Sequence, residues 1–235
     1  MTRLESLLSR LQQFYGLLPS PPRDPFALFL WEALSMHTTP GRRDAAFGAL
    51  KRIRALTPDA MWRAPQKHLA EAVALAGPYQ EQRLRILRNG VTLFRRLPTL
   101  PAVIRGPLIA ARRALRPFPQ LGEAYQRRML LFAADRCVLG VDAHVSRVGR
   151  RLGYGSGCDG ARKATRSVQR ALSRELAHRP DDFRRASVYL SHHALTTCTD
   201  RDPHCHVCPL LPDCPEGKTR AGAAENLKSE RKGEG

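Results

Sequence analysis

At 235 residues with 43% apolar content, the chain can bury one large core or two small ones, and no apolar run approaches the ~20 residues needed to span a bilayer. Its 39 Lys+Arg against 21 Asp+Glu give a net charge of +18 and a pI near 10.8, with only six of the cations lysine. Such an imbalance favours a polyanionic partner, and without a basic amphipathic anchor that partner is expected to be nucleic acid rather than a membrane.

Helical periodicity runs through the chain, so the sequence predicts an all-α fold of around ten helices. Leu4, Leu7, Leu8 and Leu11 form an i, i+3, i+4, i+7 stripe, and residues 17–23 read as a linker. Asp24 before Pro25 has the form of an N-cap with Pro at the first helical position, predicting a helix to about His37. Thr57-Pro58-Asp59 opens a short helix by the same device. Gly77-Pro78 separates a helix near 66–76 from a longer one near 79–97. Pro98 and Pro101 break the chain before a helix near 107–115. Residues 117–122 form a turn into a helix over roughly 123–137, and Leu139-Gly140-Val141 is extended before a helix from Ala143 to Leu152. Val168, Ala171, Leu172 and Leu176 mark one face of a helix over 162–178. Asp181 is expected to cap a last helix leading to Cys198, and residues 215–235 to form a disordered basic tail.

Four cysteines follow that helix with the spacing Cys198-x6-Cys205-x2-Cys208-x5-Cys214. Seventeen residues with four thiols and few core-forming side chains need something other than hydrophobic burial to fix them. Four thiolates suit a tetrahedral zinc or a [4Fe–4S] cube. Zinc sites usually pair two CxxC units, and only Cys205 and Cys208 form one, so the spacing favours the cluster over zinc. Disulfides are a third reading. Arg3, Glu5 and Arg10 interrupt any signal-like apolar run, which points instead to a reducing, cytoplasmic setting. Cys137 and Cys158 lie outside the pattern and read as free thiols.

Two further segments carry candidate chemistry. The turn at Phe118-Pro-Gln-Leu-Gly122 between two helices suits a helix-hairpin-helix, whose exposed backbone N–H groups would hold a phosphate; an ordinary interhelical turn is the alternative. Asp142, in Leu-Gly-Val-Asp-Ala-His, is either an N-cap or a carboxylate that balances positive charge on a sugar as a glycosidic bond breaks. Hairpin, Asp142 some 20 residues later and the cysteine loop together resemble the endonuclease III branch of the helix-hairpin-helix DNA glycosylases, over about residues 4–214. Residues 25–34 resemble that family's first barrel helix, Gly77-Pro78-Tyr79 its Gly-x-Tyr turn, and residues 141–148 its catalytic-Asp segment.

The resemblance implies two lobes: a six-helix barrel over 24–137, and a cluster lobe combining 1–23 with 138–214. It implies double-stranded DNA bearing a damaged base as partner, a monomer that in a bacterium would associate with the nucleoid, base flipping toward Asp142, and a structural [4Fe–4S] cluster on Cys198, Cys205, Cys208 and Cys214. It places Gln120, Leu121, Gly122, Glu123, Ala124 and Tyr125 of the hairpin at the DNA, with His37 in the position of the residue that fills the emptied stack. His144 and Arg147 join them from the catalytic-Asp segment. Arg201, His204 and His206 lie in or beside the cluster loop, as phosphate contacts or as solvated loop residues. Two departures matter. Gln120 replaces the first hairpin glycine, and Ala124 stands where the family's Schiff-base lysine would be. The expected activity is therefore N-glycosylase of base-excision repair without efficient AP-lyase action. The alternatives are a bifunctional glycosylase/lyase with an amine from elsewhere, and a non-catalytic DNA-binding member.

Overall fold

The leucine stripe becomes α1 (Arg3–Tyr15) in the computed structural model, which describes residues 1–118, 122–155 and 160–222. Thr2 opens it with a capping box. Its hydroxyl accepts the Glu5 N–H, and the Glu5 carboxylate accepts the Thr2 N–H at 2.8 Å. Eleven further helices are α2 (Pro25–Leu34), α3 (Pro40–Arg52), α4 (Pro58–Arg63), α5 (Gln66–Ala74), α6 (Gln80–Arg96), α7 (Leu100–Arg105), α8 (Leu108–Leu115), α9 (Gly122–Ala134), α10 (Ala143–Arg151), α11 (Ala161–Glu175) and α12 (Pro180–Thr196). Residues 215–222 form a thirteenth, α13. Among the described residues there is no strand, so the fold is all-α, and no helix is long and apolar enough to cross a membrane.

Four local expectations are corrected. α3 lies where no helix was predicted, although Thr39-Pro40 repeats the cap-and-proline device and the Thr39 hydroxyl accepts the Arg42 N–H. Pro101 does not break the chain but sits in the first turn of α7, where its missing N–H costs nothing. Arg179, not Asp181, is the N-cap of α12; Pro180 follows, and Asp181 and Asp182 lie in the first turn, favourable to the helix dipole. Residues 215–222 are helical rather than disordered, while the rest of the tail and Cys158 fall outside the described residues.

The chain divides into two units, Met1–Pro19 with Val141–Gly235, and Ser20–Gly140. In the second unit every residue of α2 is buried, and the helix packs on α6 and α9. Phe26, Phe29, Phe94 and Phe118 form an aromatic cluster with centroid separations of 5.1 to 6.1 Å. Close approach of α2 to α6 requires glycine at position 90, since a Cβ there would lie 1.9 Å from the Phe29 ring. Among the described residues this unit holds eight helices, α2 to α9.

In the first unit the buried face of α1 packs on α11 and α12, and α10 packs on the same pair. Its core includes Leu4, Leu7, Leu8, Leu11, Val145, Val148, Val168, Leu172, Phe183 and Leu190. The Leu4 N–H, left without an intrahelical acceptor at the start of α1, donates to the Glu175 carboxylate at 2.7 Å.

Candidate functional site

α12 delivers the first cysteine. Past Thr196 the chain tightens, and the N–H groups of Thr197 and Cys198 both donate to the His193 carbonyl at 3.1 and 2.8 Å. Short 3-10 turns at Cys205–Val207 and Leu211–Asp213 then carry the chain round to Cys214, directly before α13. All four sulfurs are unbridged, and the four cysteines line one cavity that is partly open to solvent. Among the described residues no three His, Cys, Asp or Glu side chains are grouped so that they could hold a metal ion.

The surroundings are built for sulfur acceptors. The Gly217 N–H, in the first turn of α13, donates to Cys214 Sγ at 3.3 Å; the Arg151 guanidinium donates to Cys198 Sγ at 3.3 Å. The Leu210 N–H donates to Cys208, and His193 Nε2 lies 3.7 Å from the same sulfur. Burial nevertheless pushes the Cys205 and Cys214 thiols up, and Cys208 up to about 11. Bare thiolates of Cys205, Cys208 and Cys214 here would be desolvated and mutually repulsive. Four thiols round one cavity, with N–H donors already aimed at three of them, fit a four-iron cluster.

α10 holds this loop from the side. Arg147 donates to the Ala194 carbonyl at 2.7 Å and to the Cys198 carbonyl at 3.0 and 3.1 Å. One turn on, Arg151 donates to the carbonyls of Thr199 and Asp200 at 2.6 and 2.8 Å. At the far side His193 is 1% exposed, and burial, then the neighbouring His192, lowers its pKa to about 4, so the ring is neutral. Its Nδ1 lies 2.7 Å from the Tyr15 hydroxyl, which lies 2.6 Å from Thr197 Oγ1.

Asp142 is half-buried at the start of α10, and its carboxylate accepts the Val145 N–H at 2.9 Å. The capping role and a carboxylate held in fixed orientation are thus compatible.

No protein-family model matches the chain, and comparison with curated proteins finds no match. Solved structures do match. A trapped endonuclease III–DNA covalent intermediate is 22% identical with a TM-score of 0.66, covering 94% of this chain and 100% of its own. A thermostable thymine-DNA glycosylase is 18% identical with a TM-score of 0.66, covering 92% and 97%. The H. pylori 3-methyladenine DNA glycosylase bound to 1,N6-ethenoadenine is 12% identical with a TM-score of 0.61, covering 83% and 97%. This is the helix-hairpin-helix DNA glycosylase fold.

Within the glycosylase fold the residues singled out by sequence fall unevenly. Gln120 and Leu121 lie outside the described residues. Gly122 opens α9 in the left-handed region (φ 70°) and is exposed; Glu123 is exposed and pairs with Arg127 at 2.8 Å. Ala124 is half-buried. Tyr125, expected at the DNA, is instead a core residue, fully buried against Phe118 at 6.2 Å. Burial, then Glu32, raises its pKa well above the usual phenol value. One helical step of about 100° separates Ala124 from Tyr125, and that step turns the ring inward. Arg147 is likewise committed, its donors spent on the end of α12 and the start of the cysteine loop, while His144 is exposed beside it at 3.3 Å. Arg201, His204 and His206 are exposed on the loop.

His37 is exposed with a left-handed backbone (φ 48°), as is Tyr79 (φ 69°), and their rings lie 5.1 Å apart. Arg83, fully buried, ties their two loops together by donating to the carbonyls of Met36, His37, Gly77 and Pro78. Sequence reasoning missed Arg83, Arg151, His193 and the buried Glu32–Arg128 pair, which forms two 2.8 Å hydrogen bonds. A charged residue inside an apolar stretch, as with Glu32 in the all-buried α2, was the one available signal.

Proposed function

We propose that this protein is a DNA N-glycosylase of base-excision repair that removes a damaged base from duplex DNA and leaves the strand intact. The observation that carries the reading is Asp142, a carboxylate held by the Val145 N–H at the N-terminus of α10 in a chain with the glycosylase fold. An anion fixed in this way stabilises the oxocarbenium-like sugar formed as the N-glycosyl bond breaks, and orients the attacking water. The net charge of +18 supports a DNA substrate. A Schiff base needs an amine, and the sequence has no lysine between Lys67 and Lys163, so α8 and α9 supply none. Cys198, Cys205, Cys208 and Cys214 would hold a [4Fe–4S] cluster, whose contribution would be a structural crosslink of the loop, while Arg147 and Arg151 anchor the loop to α10.

Duplexes carrying an oxidised pyrimidine, a mismatched uracil or thymine, or an alkylated purine test the chemistry, assayed with and without alkali. Base release with strands intact until alkali is added is expected. Borohydride trapping of a covalent enzyme–DNA adduct would instead require an amine and restore the bifunctional reading. Binding to these duplexes with no base released would leave a DNA-binding protein without chemistry, the reading that Ala124 favours. For the cofactor, anaerobically purified protein should hold about four iron and four sulfide per chain, and one zinc with no iron would remove the cluster.

A further inference from the structure

We propose that His193 donates its Nε2–H to the Cys208 sulfur of the cluster, and that a hydroxyl chain from Thr197 through Tyr15 fixes the imidazole in the tautomer that can do so. The inference rests on the cluster reading above and concerns how this chain tunes that group. Three distances carry it: 3.7 Å from His193 Nε2 to Cys208 Sγ, 2.7 Å from Nδ1 to the Tyr15 hydroxyl, and 2.6 Å from that hydroxyl to Thr197 Oγ1. The first lies within hydrogen-bond range for the larger sulfur atom. His193 and Thr197 are both buried, so water does not compete freely for these groups.

The chain can be protonated in two ways. In one, the Cys208 thiol donates to Nε2, Nδ1–H donates to Tyr15, and Tyr15 donates to Thr197. In the other, Thr197 donates to Tyr15, Tyr15 donates to Nδ1, and Nε2–H donates to sulfur. Binding iron removes the thiol proton, because the thiolate is the ligand. The first arrangement would then set the Nε2 lone pair against an anionic sulfur. The second leaves each group with a proton to give and an acceptor to receive it. One proton, that of the thiol, is lost overall, and His193, Tyr15 and Thr197 all stay neutral. The Leu210 N–H also donates to Cys208, so this sulfur receives two donors. Hydrogen bonds to cluster sulfurs stabilise the more electron-rich state and raise the reduction potential. The metal group is thus tied through one ring to α1, whose Tyr15 lies 178 residues earlier in the chain than His193.

The test uses full-length wild type, Tyr15→Phe, His193→Leu and His193→Gln, each assayed first for iron and sulfide and then for the cluster's midpoint potential. Tyr15→Phe and His193→Leu should shift the potential negative, His193→Leu further. His193→Gln, which keeps an N–H donor, should recover part of the shift. Should a variant fail to fold or load, wild type alone decides: with ¹⁵N-labelled histidine, pulsed EPR of the paramagnetic cluster should detect one imidazole nitrogen. Fully loaded Tyr15→Phe and His193→Leu with wild-type potentials, or no imidazole coupling in wild type, would overturn the hydrogen bond while leaving the cluster reading intact. Wild type without iron or sulfide would overturn both.

Discussion

The Asp142 carboxylate accepts the Val145 N–H at 2.9 Å, and an asparagine oxygen can accept the same bond. Asp142→Asn therefore separates the cap from the charge. The variant should keep its thermal midpoint to within the effect of a few tenths of a kcal/mol. Base release should fall by roughly 10²–10³, equivalent to ~3–4 kcal/mol of lost transition-state stabilisation, with duplex binding retained. Unchanged release rates would take Asp142 out of the chemistry. A second residue-scale expectation concerns Glu32 and Arg128, whose side chains are 6% and 15% exposed. Removing one partner leaves a buried charge unpaired, so Arg128→Met should cost about 3–5 kcal/mol in chemical denaturation. Replacing both, Glu32→Leu with Arg128→Met, should recover most of that loss, because desolvation of the pair offsets much of its attraction. A double variant as unstable as the single would show that the pair contributes more than its desolvation costs.

Among the helices, the packing of α2 on α6 passes through a single glycine. In a solvent-exposed helix, glycine to alanine gains about 1 kcal/mol of helix stability. At position 90 the added Cβ would fall 1.9 Å from the Phe29 ring, which is itself held by Phe26, Phe94 and Phe118. Overpacking of this kind costs ~1–3 kcal/mol, so Gly90→Ala should destabilise the protein despite the better propensity. A raised denaturation midpoint would mean that α2 shifts to accommodate the methyl. The turn formed by Gly77 and Tyr79 is governed by Arg83 in a similar way, one buried side chain serving four carbonyls on two loops.

For the whole molecule, net charge dominates. Arg83, Arg128, Arg147 and Arg151 spend their hydrogen bonds inside their own unit, so the arginine surplus overstates the number of cations free to meet a phosphate. If about five phosphates are neutralised, the logarithm of the DNA association constant should fall with the logarithm of salt concentration with a slope near −4 to −5. Titration of a fluorescent duplex between low and moderate salt measures it. A flat response would contradict electrostatic binding to the phosphate backbone.

Features that depend on neighbours along the chain can be read from the residues alone. The α1 stripe, the Asp24-Pro25 and Thr57-Pro58 starts and the Asp142 cap were all legible, because a cap and the first turn it serves lie within four residues. α3 was not read, since Gly41, Gly48 and its paired arginines blur the apolar period, even though Thr39-Pro40 announces its start. The cysteine spacing put four thiols in one seventeen-residue loop, and the structure brings them to one cavity. Which way each side chain turns, and what it meets there, follows from how the helices pack. Tyr125 is core and Ala124 is not because α9 packs on α2, and Arg147 serves carbonyls 47 and 51 residues away. The Tyr15–His193 contact spans 178 residues. Such partners leave no local signature, since burial and hydrogen bonding across these separations are set by which helix faces meet, and a periodic pattern records only that a face is buried.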